Sequence, residues 1–359
     1  MATTLTAGTP APKLDRLAHG LRGHLNRFSH VVINVSDLDR AVEFYENTFP
    51  VQRRQRINGP AQRYAGLGIE HGQFTGWVLE NKKDASPPGD LIAEFPARLL
   101  HLIQWKSPKP TGAPYREANH VGIYRQNSLV SNLNEAYANV LAHGGRPYGE
   151  PSWIVLTPDG FGVTVFAYRD PDGNTLEMIG AEDPAGKVIY PGMMHHCNLN
   201  VRNLERSYRF YHDTLGLDPT VYLAPALQPA SNGSLGDALR NPDGTEYTAG
   251  QMRFAATLMG ARSDSRSPID VLEWAVPKPY GEPYQSPTNL GIIRVALEVD
   301  DIEAARTRLL LTGHTAGSIE TWDMGDFGER KVVIFKDPDG IMLELIEQLS
   351  VVGEKPPFD

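Results

Sequence analysis

The chain has a single cysteine, Cys197, in 359 residues. That excludes an intramolecular disulfide and a thiolate metal cluster, and it makes a reducing compartment, the cytoplasm, the expectation. No run of about 18 apolar residues occurs, so no membrane-spanning helix is expected. Lys and Arg number 34 against 43 Asp and Glu, a net charge of -9. No stretch concentrates the basic residues as a phosphate-binding footprint would, so nucleic acid is not an expected partner. The stretch from Met1 to Pro12 lacks the basic start and apolar core of a secretory leader and reads as a disordered lead. What is present is an ordinary globular composition, 41% hydrophobic and 21% charged, with length for two domains. Leu14, Leu17, Leu21 and Leu25 recur at helical spacing, which predicts a short amphipathic helix with His19 and His24 at its surface.

The two halves can be laid over each other at a nearly constant offset. His30-Val-Val-Ile-Asn-Val35, followed by Leu38, Arg40, Phe44 and Tyr45, matches His196-Cys-Asn-Leu-Asn-Val201, followed by Leu204, Arg206, Phe210 and Tyr211. Trp105, Pro108-Lys-Pro110, Gly112 and Pro114-Tyr115 recur as Trp274, Pro277-Lys-Pro279, Gly281 and Pro283-Tyr284. Asp170-Pro-Asp-Gly173 with Leu176-Glu177 recurs as Asp337-Pro-Asp-Gly340 with Leu343-Glu344. The sequence is a tandem duplication. Each half divides again. A strand leads to a helix opening near Asp37 or Asn203, then to short strands. The second part restarts with a strand, Val121 to Tyr124 or Gly291 to Val299, and a helix, Leu129 to Ala142 or Ile302 to Leu311. It closes around Asp-Pro-Asp-Gly, a turn in which Pro fixes φ and Gly supplies a positive φ. The expected fold class is α+β, built of four βαβββ modules.

Alternation puts His30, Val32 and Asn34 on one strand face and Val31, Ile33 and Val35 on the helix-facing one. The same parity groups His120, Gly122 and Tyr124, and it groups Glu177 with Ile179. A carboxylate buried between apolar neighbours needs a partner or a cation, so Glu177 marks a candidate site. Tyr124, and Tyr168 beside the last hairpin, are candidates for holding a substrate oxygen, with packing of the wall as the alternative. His195 and Cys197 have the opposite parity and read as structural. The long Pro- and Gly-rich stretches Lys82 to Pro96 and Ala224 to Gly250 read as lids or insertions. The repeated Pro-Lys-Pro-x-Gly-x-Pro-Tyr stretch reads as a linker.

A strand with an N-terminal His, a Leu-x-Arg-x-x-x-Phe-Tyr helix and a closing Asp-Pro-Asp-Gly-x-x-Leu-Glu hairpin resemble the vicinal oxygen chelate superfamily, which embraces glyoxalases, bleomycin-resistance proteins and extradiol dioxygenases. The resemblance covers residues 26–181 and 192–348, after a lead over 1–25, and implies two cup-shaped domains of paired modules. It implies metal ligands on the first strand of each paired module and on the strand after Asp-Pro-Asp-Gly, which here are His30, His120 and Glu177. His101 holds a further ligand position, as a fourth ligand or as a group acting on substrate. Two imidazoles and a carboxylate suit Fe(II), with Mn(II), Zn(II), Ni(II) or Co(II) as alternatives. The C-terminal equivalents are His196, Asp270, Asn289 and Glu344. An amide in place of the second His makes the N-terminal domain the expected active one. Should modules distant in sequence pair, His196 replaces His30 beside His120 and Glu177.

The resemblance thus implies a divalent-metal enzyme acting on a small molecule with two adjacent oxygens. The specific expectation is an extradiol-type dioxygenase that opens a catechol or hydroquinone ring with O2 on Fe(II). The alternatives are a glyoxalase-type isomerase, epimerase or lyase, a metal-free protein that sequesters a drug, and an unusual oxidative rearrangement in a biosynthetic pathway. Whether a homo-oligomer completes a cup stays open.

Overall fold

The computed structural model of the chain describes residues 20–82, 99–130, 132–155, 162–180, 196–223, 243, 253–261 and 264–347. Leu14, Leu17, His19 and His195 lie outside these residues, as do most of the two stretches read as lids or insertions. Module 1 comprises β1 (Leu25–Asn34), α1 (Leu38–Thr48), β2 (Val51–Ile57), β3 (Gln62–Tyr64), β4 (Ile69–Asn81) and β5 (Leu99–Ser107). Module 2 comprises β6 (Gly122–Val130), α2 (Leu133–Ala142), β7 (Arg146–Pro147), β8 (Ser152–Val155), β9 (Gly162–Arg169) and β10 (Thr175–Gly180). Module 3 comprises β11 (Cys197–Asn200), α3 (Leu204–Arg209, extended by a π-turn to Thr214), β12 (Asp218–Leu223), β13 (Arg253–Ala261) and β14 (Asp264–Val276). Module 4 comprises β15 (Gly291–Val299), α4 (Ile302–Leu311), β16 (Glu320–Asp323), β17 (Glu329–Lys336) and β18 (Met342–Glu347). No helix of the described residues is long and apolar enough to cross a membrane.

The helices start where an Asx side chain can take a free backbone N–H. Asp37, Asn132, Asn203 and Asp301 each accept from the N–H three residues on. Two boundaries differ from the sequence reading. Leu25 opens a strand rather than closing a helix, because Leu21 turns the chain by donating its N–H to the Thr214 carbonyl at 2.8 Å. β6 runs on to Val130 instead of stopping at Tyr124. Its Arg125-Gln126-Asn127-Ser128 stretch breaks the apolar alternation, yet Gln126, Asn127 and Ser128 are buried.

The two shared motifs prove to be bonded to each other. In the first half the helix arginine Arg40 donates to Asp172 at 2.6 Å, and the helix tyrosine Tyr45 donates to Asp170 at 3.1 Å. In the second half Arg206 donates to Asp339, and Tyr211 donates to Asp337 at 3.1 Å. Asp170 Oδ1 in turn accepts the backbone N–H groups of Asp172, Gly173 and Asn174. Leu-x-Arg-x-x-x-Phe-Tyr and Asp-Pro-Asp-Gly therefore form one structural clamp between the modules of each half.

Strand pairing follows a different rule. One nine-stranded sheet runs β16-β17-β18-β15-β1-β5-β4-β2 with β3 on β4, so it joins modules 1 and 4. The other runs β12-β13-β14-β11-β6-β10-β9-β7 with β8 on β9, and joins modules 2 and 3. The cups are thus shared between the halves of the sequence: the outer modules make cup 1 and the inner modules make cup 2. A core of helix-facing residues, including Val31, Ile33, Leu199 and Val295, is common to both sheets. Separate clusters fill the inside of cup 1 (Val32, Trp105, Ile293, Trp322) and of cup 2 (Tyr124, Val165, Ile179, Trp274).

The repeated Pro-Tyr stretches join the halves as a two-fold clasp. The Tyr115 and Tyr284 rings stack at 3.9 Å and 4°, and each hydroxyl accepts the other residue's N–H, at 2.9 and 2.7 Å. The first-strand asparagines pin the same segments. Asn34 donates to the Pro287 and Asn289 carbonyls, and Asn200 to those of Ala118 and His120. Gly122 and Gly291 begin the central strands directly over these rings, with φ of 133° and 142°. A Cβ on Gly122 would lie 2.6 Å from the Tyr115 hydroxyl, whereas Gly144, with φ of 80°, has nothing within 4 Å. Gly144→Ala should therefore cost only its backbone strain, about 1 kcal/mol. Gly122→Ala should cost about 3 kcal/mol, because strain and overpacking add. Urea unfolding of the two variants measures the difference.

Candidate active site

The expected triad is not brought together. His30 lies on β1 in cup 1, and Glu177 lies on β10 in cup 2. His120 precedes β6 in the clasp, half-buried. Its Nδ1 bonds the Val121 carbonyl at 2.8 Å, and its ring stacks on Tyr115 at 4.1 Å. The reason is the pairing of outer with outer and inner with inner modules. His196 does share a cup with Glu177, but His120 joins neither.

Cup 1 gathers His30 from β1, His101 from β5, Arg294 from β15 and Glu344 from β18, each about 2% exposed. Arg294 Nε donates to Glu344 Oε2 at 2.6 Å. The other carboxylate oxygen lies 4.0 Å from His30 Nε2. The His30 and His101 rings stack at 3.6 Å and 18°. Ser29 Oγ contacts His30 Nδ1 at 3.1 Å. Among the described residues, His101 Nε2 and Arg294 Nη1 have no partner. Phe327 meets the His101 ring edge-on at 5.3 Å, and the Arg330 guanidinium lies 4.0 Å over Phe327. Burial holds both imidazoles in the neutral form: His30 titrates well below its usual range, with help from His101, and His101 is lowered to about 3, with help from Arg294 and Arg330.

Cup 2 repeats the plan with His196, Asp270, Arg125 and Glu177. Arg125 Nη1 lies 3.4 Å from Glu177, and His196 Nε2 lies 3.9 Å from Asp270. Asn198 donates to Asp270 at 2.9 Å, and Asn127 contacts His196 Nε2. Burial raises the Glu177 carboxyl against the pull of Arg125. Tyr124 lines this cup and shares a hydrogen bond with Tyr148 at 3.1 Å. Tyr168 stands on the opposite, helix-facing side, buried against Phe44 and Phe166. It is a core residue without access to either cup.

Sequence reasoning missed Arg125 and Arg294. Strict alternation sends both to the helix side, but each central seam carries a bulge. On β15 the register with β1 slips so that Ile33 faces Ile292 and Val32 faces Arg294. On β6 the register with β11 slips between Ile123 and Arg125. The extra residue, Ile293 or Tyr124, turns the following arginine into the cup. The recurrence of Gly-Ile-x-Arg at Gly122 to Arg125 and Gly291 to Arg294 was the available signal.

The resemblance implies a divalent metal, and His30, His101 and Glu344 are ligand types that suit one. Their arrangement does not. The stacked imidazoles send their lone pairs side by side rather than to one point. The fourth inward position holds a guanidinium, which has no lone pair to give. Among the described residues, no group of three His, Cys, Asp or Glu stands close enough to hold a metal ion.

The family model described as Glyoxalase/Bleomycin resistance protein/Dioxygenase superfamily matches residues 27–178 and 193–345. Among curated proteins, the chain is 25% identical over 330 residues to a lactoylglutathione lyase of Arabidopsis thaliana, spanning 91% of this chain and 94% of that protein. It is 22% identical over 344 residues to a probable chloroplastic lactoylglutathione lyase of the same plant, spanning 95% of this chain and 78% of that one. Among solved structures, glyoxalase I from Zea mays shares the fold with a TM-score of 0.53 at 17% identity, covering 89% of this chain and 92% of that chain. The curated relatives are lyases by name, which overturns the expectation of a ring-cleaving dioxygenase. Iron and O2 lose their support with it. A small-molecule substrate keeps its support, whereas the cytoplasm finds none in a relative named chloroplastic.

The neutral, buried imidazoles make stability depend on pH with a definite sign. An unfolded chain protonates His101 below about pH 6.5, but the folded chain resists protonation until about 3. Stability is therefore lost as pH falls from 6.5, and at pH 5 the loss from this residue should be about 2 kcal/mol. Urea unfolding at pH 7 and pH 5 should show a loss about 2 kcal/mol smaller in His101→Gln than in wild type, the share of His30 remaining in both.

Proposed function

The chain belongs to the glyoxalase, bleomycin resistance protein and dioxygenase superfamily, and we propose that within it the protein is a glyoxalase-type lyase or isomerase whose working site is cup 1. The observation that carries this reading is the buried cluster of His30, His101, Arg294 and Glu344. It puts a carboxylate, two neutral imidazoles and a fixed positive charge on four neighbouring strands. The full-length similarity to lactoylglutathione lyases supports the same chemistry.

Such a reaction moves a proton between two adjacent carbons while negative charge gathers on the oxygens they carry. Glu344 is placed to take and return that proton. Arg294 fixes its Oε2 at 2.6 Å, which leaves Oε1 as the basic atom. The charge that develops on substrate oxygen would meet Arg294 and, beyond it, Arg330 over Phe327, in surroundings walled by Phe327 and Trp322. His101, neutral and with Nε2 unpartnered, can share a proton with that oxygen.

The relatives' names direct the assay. A three-carbon 2-oxoaldehyde mixed with glutathione forms a thiol adduct, and its isomerisation gives the lactoyl thioester, read by ultraviolet absorbance. Wild type should form the thioester, and Glu344→Gln should lower kcat by about 10² to 10⁴. His120→Ala, altered in the clasp, should keep kcat within about threefold, since surface and clasp changes act on stability rather than chemistry. Absence of thioester with this and other thiol adducts, from folded wild-type protein, would sink the reading.

A further inference from the structure

We propose that in cup 1 the guanidinium of Arg294 stands in for the divalent metal, so that the site binds the anionic oxygens of a small 2-oxo or 2-hydroxy acid, or the enediolate related to it, with no metal ion. The inference rests on cup 1 being the working site, but it is tested by binding rather than turnover.

The first argument is position. Arg294 takes the inward place on β15 beside Glu344, and its charge is permanent. An ion drawn to Glu344 would lie against that charge, while the carboxylate's Oε2 is already held at 2.6 Å. The imidazoles, stacked at 3.6 Å, do not converge. Cup 1 therefore supplies positive charge where a metal centre needs electron pairs.

The second argument is the pair of buried nitrogen atoms left over. Arg294 Nη1 and His101 Nε2 are buried and, among the described residues, unpartnered. A buried donor without an acceptor is costly, so both call for oxygen atoms of a ligand. Arg294 is a donor in every state. Neutral His101 is one in the tautomer that carries its proton on Nε2. A guanidinium N–H and a nearby imidazole N–H, both without an acceptor, match two adjacent oxygens, one of them anionic.

The third argument is charge. Arg294 holds Glu344, and Arg330 lies over Phe327 beside His101, while the next carboxylate, Glu320, is taken up by the Trp322 indole and the Gly66 N–H. The unpartnered nitrogen atoms therefore have two guanidinium groups nearby, which favours an anion there. Cup 2 keeps the arginine, Arg125, but sets Asp270 where cup 1 has His101, so it carries two carboxylates. The anion is thus assigned to cup 1 alone.

The test uses the full chain purified without chelators, with oxalate as the probe for two adjacent anionic oxygens. Wild type should hold no stoichiometric zinc, nickel or manganese after incubation and desalting. Calorimetry should show oxalate binding that EDTA leaves unchanged. The double variant Arg294→Gln/Glu344→Gln, which removes both buried charges together, should weaken that binding about tenfold or more. Stoichiometric metal in wild type would overturn the proposal, whatever the variants do. So would undetectable oxalate binding, or binding that folded Arg294→Gln/Glu344→Gln retains. Lack of lyase turnover alone would leave it standing, because neither metal content nor anion binding is read through turnover.

Discussion

The antiparallel seam between β1 and β15 is the constraint on which cup 1 depends. His30 and His101 come from the first module, and Glu344 and Arg294 from the last, 193 to 314 residues further along the chain. Only the pairing of Val32 with Arg294 and of His30 with Ala296 puts them on one concave face. β6 and β11 form the matching seam of cup 2. Because each seam joins different halves of the chain, neither half can assemble a site by itself. The Tyr115 and Tyr284 clasp and the two first-strand asparagines lie at the ends of these seams and fix their register.

Once the seam is formed, the energetics of the site follow from burial. A lone arginine or glutamate 2% exposed would be expensive, and the Arg294 and Glu344 pair offsets that cost only because the hydrogen bond between them is short and well placed. A buried pair of this kind is weak evidence for stability, since apolar side chains of similar size would do as well or better. Its retention with unpartnered nitrogen atoms beside it points to a role in holding ligand rather than in holding the fold. The histidines fit the same logic. Burial near two guanidinium groups keeps them neutral, so they contribute hydrogen-bonding atoms without adding charge.

Much of the fold was legible from sequence because it is local. The repeated motifs, the module order, the α4 helix and the β15 strand are set by short-range periodicity and by Asx caps. The face of His30 and that of Glu177 followed from strand parity. What failed was nonlocal or aperiodic. Partner choice between modules is decided by contacts across the whole chain, so His30 and Glu177, correct in their facing, were grouped in the wrong pair. The bulges at Ile293 and Tyr124 reverse parity within a strand, and they hid the two arginines. A polar run such as Arg125 to Ser128 reads as the end of a strand until its buried partners are known.

The duplication has also diverged in a way that physical chemistry can order. The two cups share a histidine, an arginine and a glutamate at matching places, and they differ where His101 corresponds to Asp270. A second difference accompanies it. Val32, which packs inside cup 1, corresponds to Asn198, which donates to Asp270 at 2.9 Å. A carboxyl group buried as Asp270 is would be costly without such a donor. With it, cup 2 carries two carboxyl groups and one arginine, and burial, with a smaller contribution from Asp270, raises the Glu177 carboxyl. An anionic ligand would face repulsion there, whereas in cup 1 the matching position is a neutral imidazole beside a guanidinium. One exchange of side chain, with the amide that makes it tolerable, therefore suffices to direct anion chemistry to the cup built from the two ends of the chain.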